Sequence, residues 1–298
     1  MSEHKNNVFF LVIDDGGHRF LPDNKTEIPF SAYLSILRLA QEFEIKIPIG
    51  VTMKYLDINN VSGASSPISY SEKLINLIKS NKNYFELADH GFSHRLNGTG
   101  SEYFDPRKSI RVSKKEHEEK ICKNLLIYKD LGFSFPEIFI PPSNFWEEGV
   151  TDRLYSKYGA KYLIGCRHCW HDINQSKVNF IINYLSPIYS WKDSDYLLFL
   201  PRIGCGLGGD DVELGCRLFK KIKRRIFPNV LFDASKNRIF FKSSYHSYMA
   251  HIGNFMGSSS FDWWFKVFKM CKEDRRVYFA KDNVDAVMFY QNKKRYKF

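Results

Sequence analysis

VFFLVIDDGG, residues 8–17, is a short apolar run that ends in two acidic residues and two glycines. The apolar part, Val8–Ile13, predicts a strand. Asp14 and Asp15 at its end are costly to remove from water unless they are paired or bind a metal ion. The alternative is a solvated turn, because Asp-Gly is a common turn pair. The stretch therefore predicts a strand that ends either in a turn or at the edge of a metal site.

Short apolar runs alternate with helical patterns along the rest of the chain. This alternation is typical of an α/β fold with a mostly parallel sheet, either open or closed into a barrel. No repeat and no linker divides the sequence, so we expect one domain over residues 1–298. The predicted strands are Val8–Ile13, Ile47–Thr52, Tyr84–Ala88, Glu137–Ile140, Lys161–Ile164, Leu197–Leu200, Arg238–Ser243 and Val277–Ala280. The predicted helices are Phe30–Glu44, Ser71–Asn81, Ser113–Leu131, Glu147–Tyr158, Asp211–Arg225 and Ser259–Cys271.

Polar residues follow the ends of several predicted strands. Asp14 and Asp15 end the first, His90 follows the third, Arg202 follows the sixth and His246 follows the seventh. The carboxyl ends of parallel strands are where α/β folds build their sites. We therefore predict an enzyme site at this edge. The candidate substrate contacts are Pro142, Ser143 and Asn144 after the fourth strand and Arg202 after the sixth.

The sequence HGFSH, residues 90–94, carries two histidines four positions apart. Two imidazoles at this spacing project from one side of a helical turn and can bind one metal ion. Asp89, just before the pair, can hold a ring N–H of the first ligand. Two unrelated surface histidines are the alternative, but the pair directly follows a predicted strand. We predict that His90 and His94 are metal ligands.

The composition limits the class of protein and its partners. Hydrophobic residues make up 44% of the 298, which excludes a disordered chain, and the net charge of +11 favours an acidic partner. No zinc-finger spacing or RNA-binding motif accompanies the charge, so we expect no nucleic-acid partner. Lysines and arginines at 220–225 lie on a predicted helix, as either a solvated face or a contact with an anionic membrane surface. Scattered cysteines and the lack of an export signal favour a cytoplasmic protein.

These motifs resemble those of the polysaccharide deacetylases, carbohydrate esterase family 4. The first family motif, an apolar strand that ends in Asp-Asp-Gly, is matched by Asp14–Gly16. The second, a His-x-x-x-His pair, is matched by His90 and His94. The resemblance implies a distorted (β/α) barrel with about seven strands. It also implies that Asp14 is the general base and that Asp15 is the third metal ligand.

The late family motif is a strand that ends in Leu-x-His. His246 matches it in position, with Ser244 in place of the leucine, and the resemblance implies that His246 is the general acid. His251 is the nearby alternative.

The third family motif departs from the pattern. It usually reads Arg-Pro-Pro, with the arginine beside the base, but Ile140 takes the place of that arginine here. Arg202, Arg19 and Arg95 are the candidates to replace it, and the sequence does not choose among them. Gly91 also stands where the family more often has serine or threonine.

The expected function follows from this resemblance. We expect a metal-dependent deacetylase, most simply with Zn²⁺, that removes an N-acetyl group from an amino sugar of a surface-glycan precursor. That precursor is free, nucleotide-linked or lipid-phosphate-linked. One alternative is hydrolysis of another carbohydrate bond, an O-ester or a glycosidic link, because related barrels support several reactions. The other is a metal-bearing carbohydrate-binding protein without turnover, which the missing arginine suggests.

Overall fold

The computed structural model describes residues 7–20, 26–63, 68–95, 101–105, 110–165, 192–193, 196–203, 230–233, 238–241 and 246–295. The strands are β1 (Asn7–Gly16), β2 (Ile47–Val51), β3 (Phe85–Asp89), β4 (Phe104–Asp105), β5 (Ile110–Arg111), β6 (Ile138–Phe139), β7 (Tyr162–Gly165), β8 (Lys192–Asp193), β9 (Leu198–Ile203), β10 (Val230–Asp233), β11 (Arg238–Phe241), β12 (His246–His251) and β13 (Val277–Phe279). The α-helices are α1 (Ser31–Phe43), α2 (Ile68–Ser80), α3 (Lys114–Asp130), α4 (Thr151–Lys157), α5 (Ser258–Glu273) and α6 (Asn283–Arg295).

Seven parallel strands form a ring in the order β12, β1, β2, β3, β6, β7 and β9. Pairing between β9 and β12 closes the ring. β13 pairs with the first residues of β1, and β8 adds to β9 in the antiparallel sense. This topology confirms the α/β class and the distorted barrel with about seven strands. Because the ring strands are parallel, their carboxyl ends meet at one rim.

Strand β1 is buried on both of its faces. Its odd positions, from Phe9 to Ile13, join the core that it shares with α1 and α5. Its even positions, from Val8 to Val12, join residues of β3, β6, β7 and α6. Each large apolar side chain buried in this way contributes roughly 1.5–3 kcal/mol to folding. The first strand is therefore the central element of the barrel, and its alternation fixes which side chains face inward.

The predicted seventh strand, Arg238–Ser243, does form over Arg238–Phe241, but its expected place in the barrel is wrong. Residues Arg238–Phe241 form β11, which pairs with β10 in a separate antiparallel hairpin. The barrel strand is β12, His246–His251, which pairs with β1 and β9. The apolar run at 239–241 gave the stronger strand pattern, whereas β12 has histidine at both ends and little alternation. Helix α6 was also missed, because its exposed Val284 and Met288 break any single apolar stripe.

None of the helices in the described ranges is long and apolar enough to span a membrane. The basic stretch at 220–225 and the predicted helix around it, Asp211–Arg225, lie outside the described residues.

A buried histidine on α3 should make stability depend on pH. His117 is 2% exposed and stacks on Tyr103 with ring centroids 4.0 Å apart. Burial, together with the smaller effect of the Lys120 charge, lowers the pKa of His117 to about 3. Below pH 6.5 the unfolded chain therefore binds a proton that the folded chain excludes. The free energy of unfolding should therefore fall by about 1.4 kcal/mol per pH unit as the pH drops from 6.5 towards 3.

We expect His117→Phe to remove this component in urea unfolding measured between pH 4 and pH 7. The difference from the unsubstituted protein cancels the contributions of other histidines. An unchanged dependence on pH would show that folded His117 accepts a proton readily.

Candidate metal centre

The two adjacent aspartates of β1 both reach the carboxyl rim of the barrel. Asp14 is 2% exposed and continues the inward-facing positions of the strand. Strand alternation alone would send the next side chain outward. Instead Asp15 adopts a left-handed φ of 58°, and the register between β1 and β2 shifts between Ile13 and Gly16. This bulge turns the second carboxylate back towards the first.

Three side chains converge on one point at this rim. Asp15, His90 and His94 each offer a ligand atom, and the three atoms lie within 4.8 Å of one another. His90 Nε2 is 3.4 Å from Asp15 Oδ1, and His94 Nε2 is 3.3 Å from the same oxygen. The structure thus brings together the three residues that the sequence singles out as metal ligands.

The tautomer of His90 suits a metal ligand. Its Nδ1 lies 2.8 Å from the carbonyl oxygen of Ile140. A carbonyl oxygen only accepts, so Nδ1 carries the proton and the lone pair of Nε2 faces Asp15 and His94. That buried Nε2 makes no hydrogen bond within the described part of the chain. A backbone carbonyl that fixes the ring from behind is a common arrangement in metal sites.

The charges of the three residues also fit a divalent ion. Burial lowers the pKa of His94 to about 3, so it is neutral at pH 7. Burial opposes ionisation of Asp15, but His251 and His90 together hold its pKa well below the usual range. Burial likewise opposes the charged form of His90, whereas Asp15 and Asp14 raise its pKa. Two imidazoles and one carboxylate are a donor set that Zn²⁺ and similar ions accept.

The histidine pair sits in a loop and not on a helical turn, which corrects the expectation from spacing. Gly91 and His94 both have left-handed φ values, 81° and 64°. The imidazole centroids are 4.9 Å apart. Backbone bonds from Met53 N to the Gly91 oxygen and from Lys54 N to the Phe92 oxygen hold the loop against the segment after β2. Tertiary bonds, and not helical periodicity, bring the two rings together.

Asp89 has a different role from the expected one, because Ile140 holds the ring of His90. The buried carboxylate of Asp89 accepts from Tyr155 Oη at 2.7 Å, from Asn124 Nδ2 at 2.9 Å and from Gly91 N at 2.9 Å. Burial raises its pKa to about 6. Asp89 therefore fixes the backbone that follows His90. The sequence gives no signal for these contacts, because α3 and α4 supply the partners.

The predicted substrate contacts at 142–144 lie beside the histidine loop. Pro142–Asn144 forms a short 3-10 turn after β6, in which Ser143 and Asn144 have left-handed φ values of 54° and 63°. Ser101 Oγ donates to the Pro142 carbonyl at 2.9 Å. Two consecutive non-glycine residues in this region are strained, and such strain is concentrated at functional sites. Contact between this turn and a substrate stays a prediction.

The two histidines of β12 lie at opposite ends of the strand. His246 pairs with Phe9, whereas His251 pairs with Asp14. Five residues of strand separate them by about 16 Å. His251 Nδ1 is 2.6 Å from Asp14 Oδ1 and 2.7 Å from Asp15 Oδ2. The expected placement of His246 at the rim is therefore wrong, and His251, the alternative, occupies it.

His18 is a further residue of the centre that the sequence did not suggest. Its ring meets that of His94 edge-on with centroids 5.5 Å apart, and its Nε2 lies 3.0 Å from Thr52 Oγ1. Burial is the largest of the effects that lower the pKa of His18. Its position directly after Asp-Asp-Gly-Gly is the only signal the sequence offers.

The three candidate arginines differ in their placement. Arg202 lies within β9, paired with Ser247, and does not follow the strand as expected. Arg19 is exposed and pairs with Glu27 at 3.0 Å. Arg95 is exposed next to the histidine loop, and its charge adds to burial in lowering the pKa of His18. The charge of Arg95 is therefore felt at His18, beside the candidate metal ligands.

The fold, unlike the sequence, is similar to known proteins. No protein-family model and no curated protein matches the chain. A structure classed as a polysaccharide deacetylase from Mycobacterium smegmatis aligns with 98% of this chain and 93% of its own, at a TM-score of 0.54 and 12% identity. PuuE allantoinase aligns with 100% of this chain and 94% of its own, at a TM-score of 0.54 and 13% identity. The chain therefore has the fold that the resemblance to polysaccharide deacetylases predicted.

Proposed function

We propose that this chain is a metal-dependent deacetylase that hydrolyses the N-acetyl group of an amino sugar. The observation that carries the proposal is the cluster of Asp15, His90 and His94 beside a buried Asp14 at the carboxyl rim of the barrel. The two sequence motifs that resemble the polysaccharide deacetylases supply these four residues. The shared fold supports the same assignment.

Asp15, His90 and His94 would hold the metal ion, and Zn²⁺ is our choice because of the donor set. When bound, the ion would lower the pKa of a water molecule and polarise the acyl oxygen. Three protein ligands leave positions for water and substrate. The turn at Pro142–Asn144 would contact the acyl group from the neighbouring loop.

Asp14 and His251 would move the protons. Asp14 is nearly inaccessible to bulk solvent and adjacent to the ligand Asp15, so we assign it as the general base that takes the proton of the attacking water. His251 is 34% exposed, and its Nδ1 contacts both carboxylates. Neighbouring carboxylates stabilise a protonated imidazole, which can give its proton to the departing amine. We therefore assign to His251 the role of general acid that the family resemblance implied for His246.

The substrate we propose is a precursor of a surface glycan in the cytoplasm. Cys122 and Cys271, both within the described ranges, are free thiols, which is consistent with a reducing compartment. The net charge of +11 and the exposed Arg95 favour a substrate that carries phosphate, linked to a nucleotide or a lipid. Any contact with an anionic membrane surface would bring the protein to a lipid-linked substrate.

Release of acetate tests the proposal. The zinc-loaded protein should release acetate from N-acetylated amino sugars and oligosaccharides. Asp14→Asn should retain zinc yet release acetate about 10²–10⁴ times more slowly, because the general base is lost. Asp262→Asn, which alters an exposed aspartate on α5, should match the unsubstituted protein.

Other outcomes would overturn the proposal. Glycan binding without acetate release would indicate a binding protein, and release from O-acetyl groups alone would indicate an esterase. Zinc loss in Asp14→Asn would show that the two aspartates have exchanged roles.

A further inference from the structure

A second buried carboxylate lies beneath the histidine loop. Glu102 precedes β4 and is 0% exposed. Its Oε2 accepts from the backbone N–H of Ser93 at 2.9 Å and from that of His94 at 3.1 Å. Its Oε1 accepts from Ser93 Oγ at 3.1 Å. One side chain therefore binds the last turn of the loop through three hydrogen bonds.

The loop is shaped around this carboxylate. A Cβ at position 91 would lie 2.4 Å from Glu102 Oε2, so a side chain there and the glutamate cannot both be present in this arrangement. Gly91 also needs its left-handed φ of 81°. The glycine thus leaves the space that the carboxylate fills.

A fully buried carboxylate is costly unless its partners compensate. The amino group of Lys120 is 3.9 Å from Glu102 Oε1, too far for a hydrogen bond. The carboxylate instead makes its short hydrogen bonds with Ser93 and His94 of the histidine loop. The loop also needs an anchor, because His94 holds a left-handed φ of 64°, which is unfavourable for a non-glycine residue.

We propose that Glu102 is a positioning residue that sets the affinity of the metal centre by fixing the backbone of His94. The Glu102 carboxylate binds the backbone N–H of His94 and not its imidazole. Its effect is to hold the Cα of His94 where Nε2 can meet Asp15 Oδ1 and His90 Nε2. This inference rests on the proposed metal centre, since it assumes that His94 is a ligand.

The test is the zinc affinity of four full-length variants, measured on metal-depleted protein by competition with a chromophoric chelator. Glu102→Ala should weaken binding about 10–100-fold, the range for an outer-shell partner. Glu102→Gln should stay within about threefold, because its carbonyl oxygen can accept both N–H groups and its amide can donate to Ser93 Oγ. Glu102→Asp keeps the charge but is too short to reach, so it should weaken binding like alanine. Glu119→Ala, at an exposed glutamate of α3, is the matched control.

The Gln and Asp variants decide the question even if Glu102→Ala does not fold. Strong binding by Glu102→Asp with weak binding by Glu102→Gln would show that charge matters and not reach, and would overturn the inference. Equal affinity across all four variants would do the same. Failure of the unsubstituted protein to bind zinc would instead overturn the proposed metal centre itself.

Discussion

His94→Ala is expected to empty the metal centre and to abolish hydrolysis. The variant keeps His90 and Asp15, but two side-chain ligands hold a divalent ion far less tightly than three. Zinc affinity should fall more than the 10–100-fold typical of an outer-shell change. Acetate release should fall by more than the roughly 10²–10⁴-fold expected for losing a general base, because metal, water and acyl oxygen lose their common site. Metal analysis after dialysis and acetate release together measure the effect.

The control is His117→Phe, which removes a buried histidine outside the cluster and should leave about one zinc per chain. Circular dichroism should show that metal-free His94→Ala retains the barrel, because the imidazole packs at the rim and not in the core. Full zinc retention in His94→Ala would remove this residue from the ligand set.

Most of the site residues that the sequence could predict lie at the ends of apolar strands. Val8–Ile13 is apolar enough to mark a buried strand, and a parallel strand buried on both faces places the residues at its end on the rim. The candidate ligands Asp15, His90 and His94 therefore followed from local pattern and motif. The path of the chain within 90–94 did not, because its left-handed residues are held by bonds to distant segments.

Contacts between distant segments explain what sequence reasoning missed. Glu102 follows the histidine pair by eight residues, and no spacing rule links a glutamate at that distance to a backbone amide. The apolar run at 239–241 predicts a barrel strand that ends just before His246, so His251 was only the alternative for the rim. The register of β12 against β1, which pairs His251 with Asp14, becomes visible only when the ring of strands is closed.

His251→Ala should slow amide hydrolysis strongly while sparing the hydrolysis of activated esters. An amine is a poor leaving group that needs a proton as the carbon–nitrogen bond breaks, so kcat for N-acetyl substrates should fall about 10²–10⁴-fold. The nitrophenolate of a nitrophenyl ester leaves without protonation, so kcat for this ester should fall much less. Zinc affinity should change little, because the proposed ligands are Asp15, His90 and His94, whereas His251 belongs to a second group, with Asp14 and Asp15, to which we assign proton transfer. The measurement is kcat and KM for both substrates with the zinc content of each sample.

The matched control is His246→Ala, which removes the histidine at the other end of the same strand. Its partner in the register is Phe9, about 16 Å from the rim, so the variant should keep normal amide turnover. His251 also touches Asp14 and Asp15, and a purely structural role there would disturb base and metal together. Such a role would lower amide and ester hydrolysis equally and weaken zinc binding. Loss of amide turnover in His246→Ala but not in His251→Ala would identify His246 as the general acid. It would also show that the register of β12 against β1 is wrong.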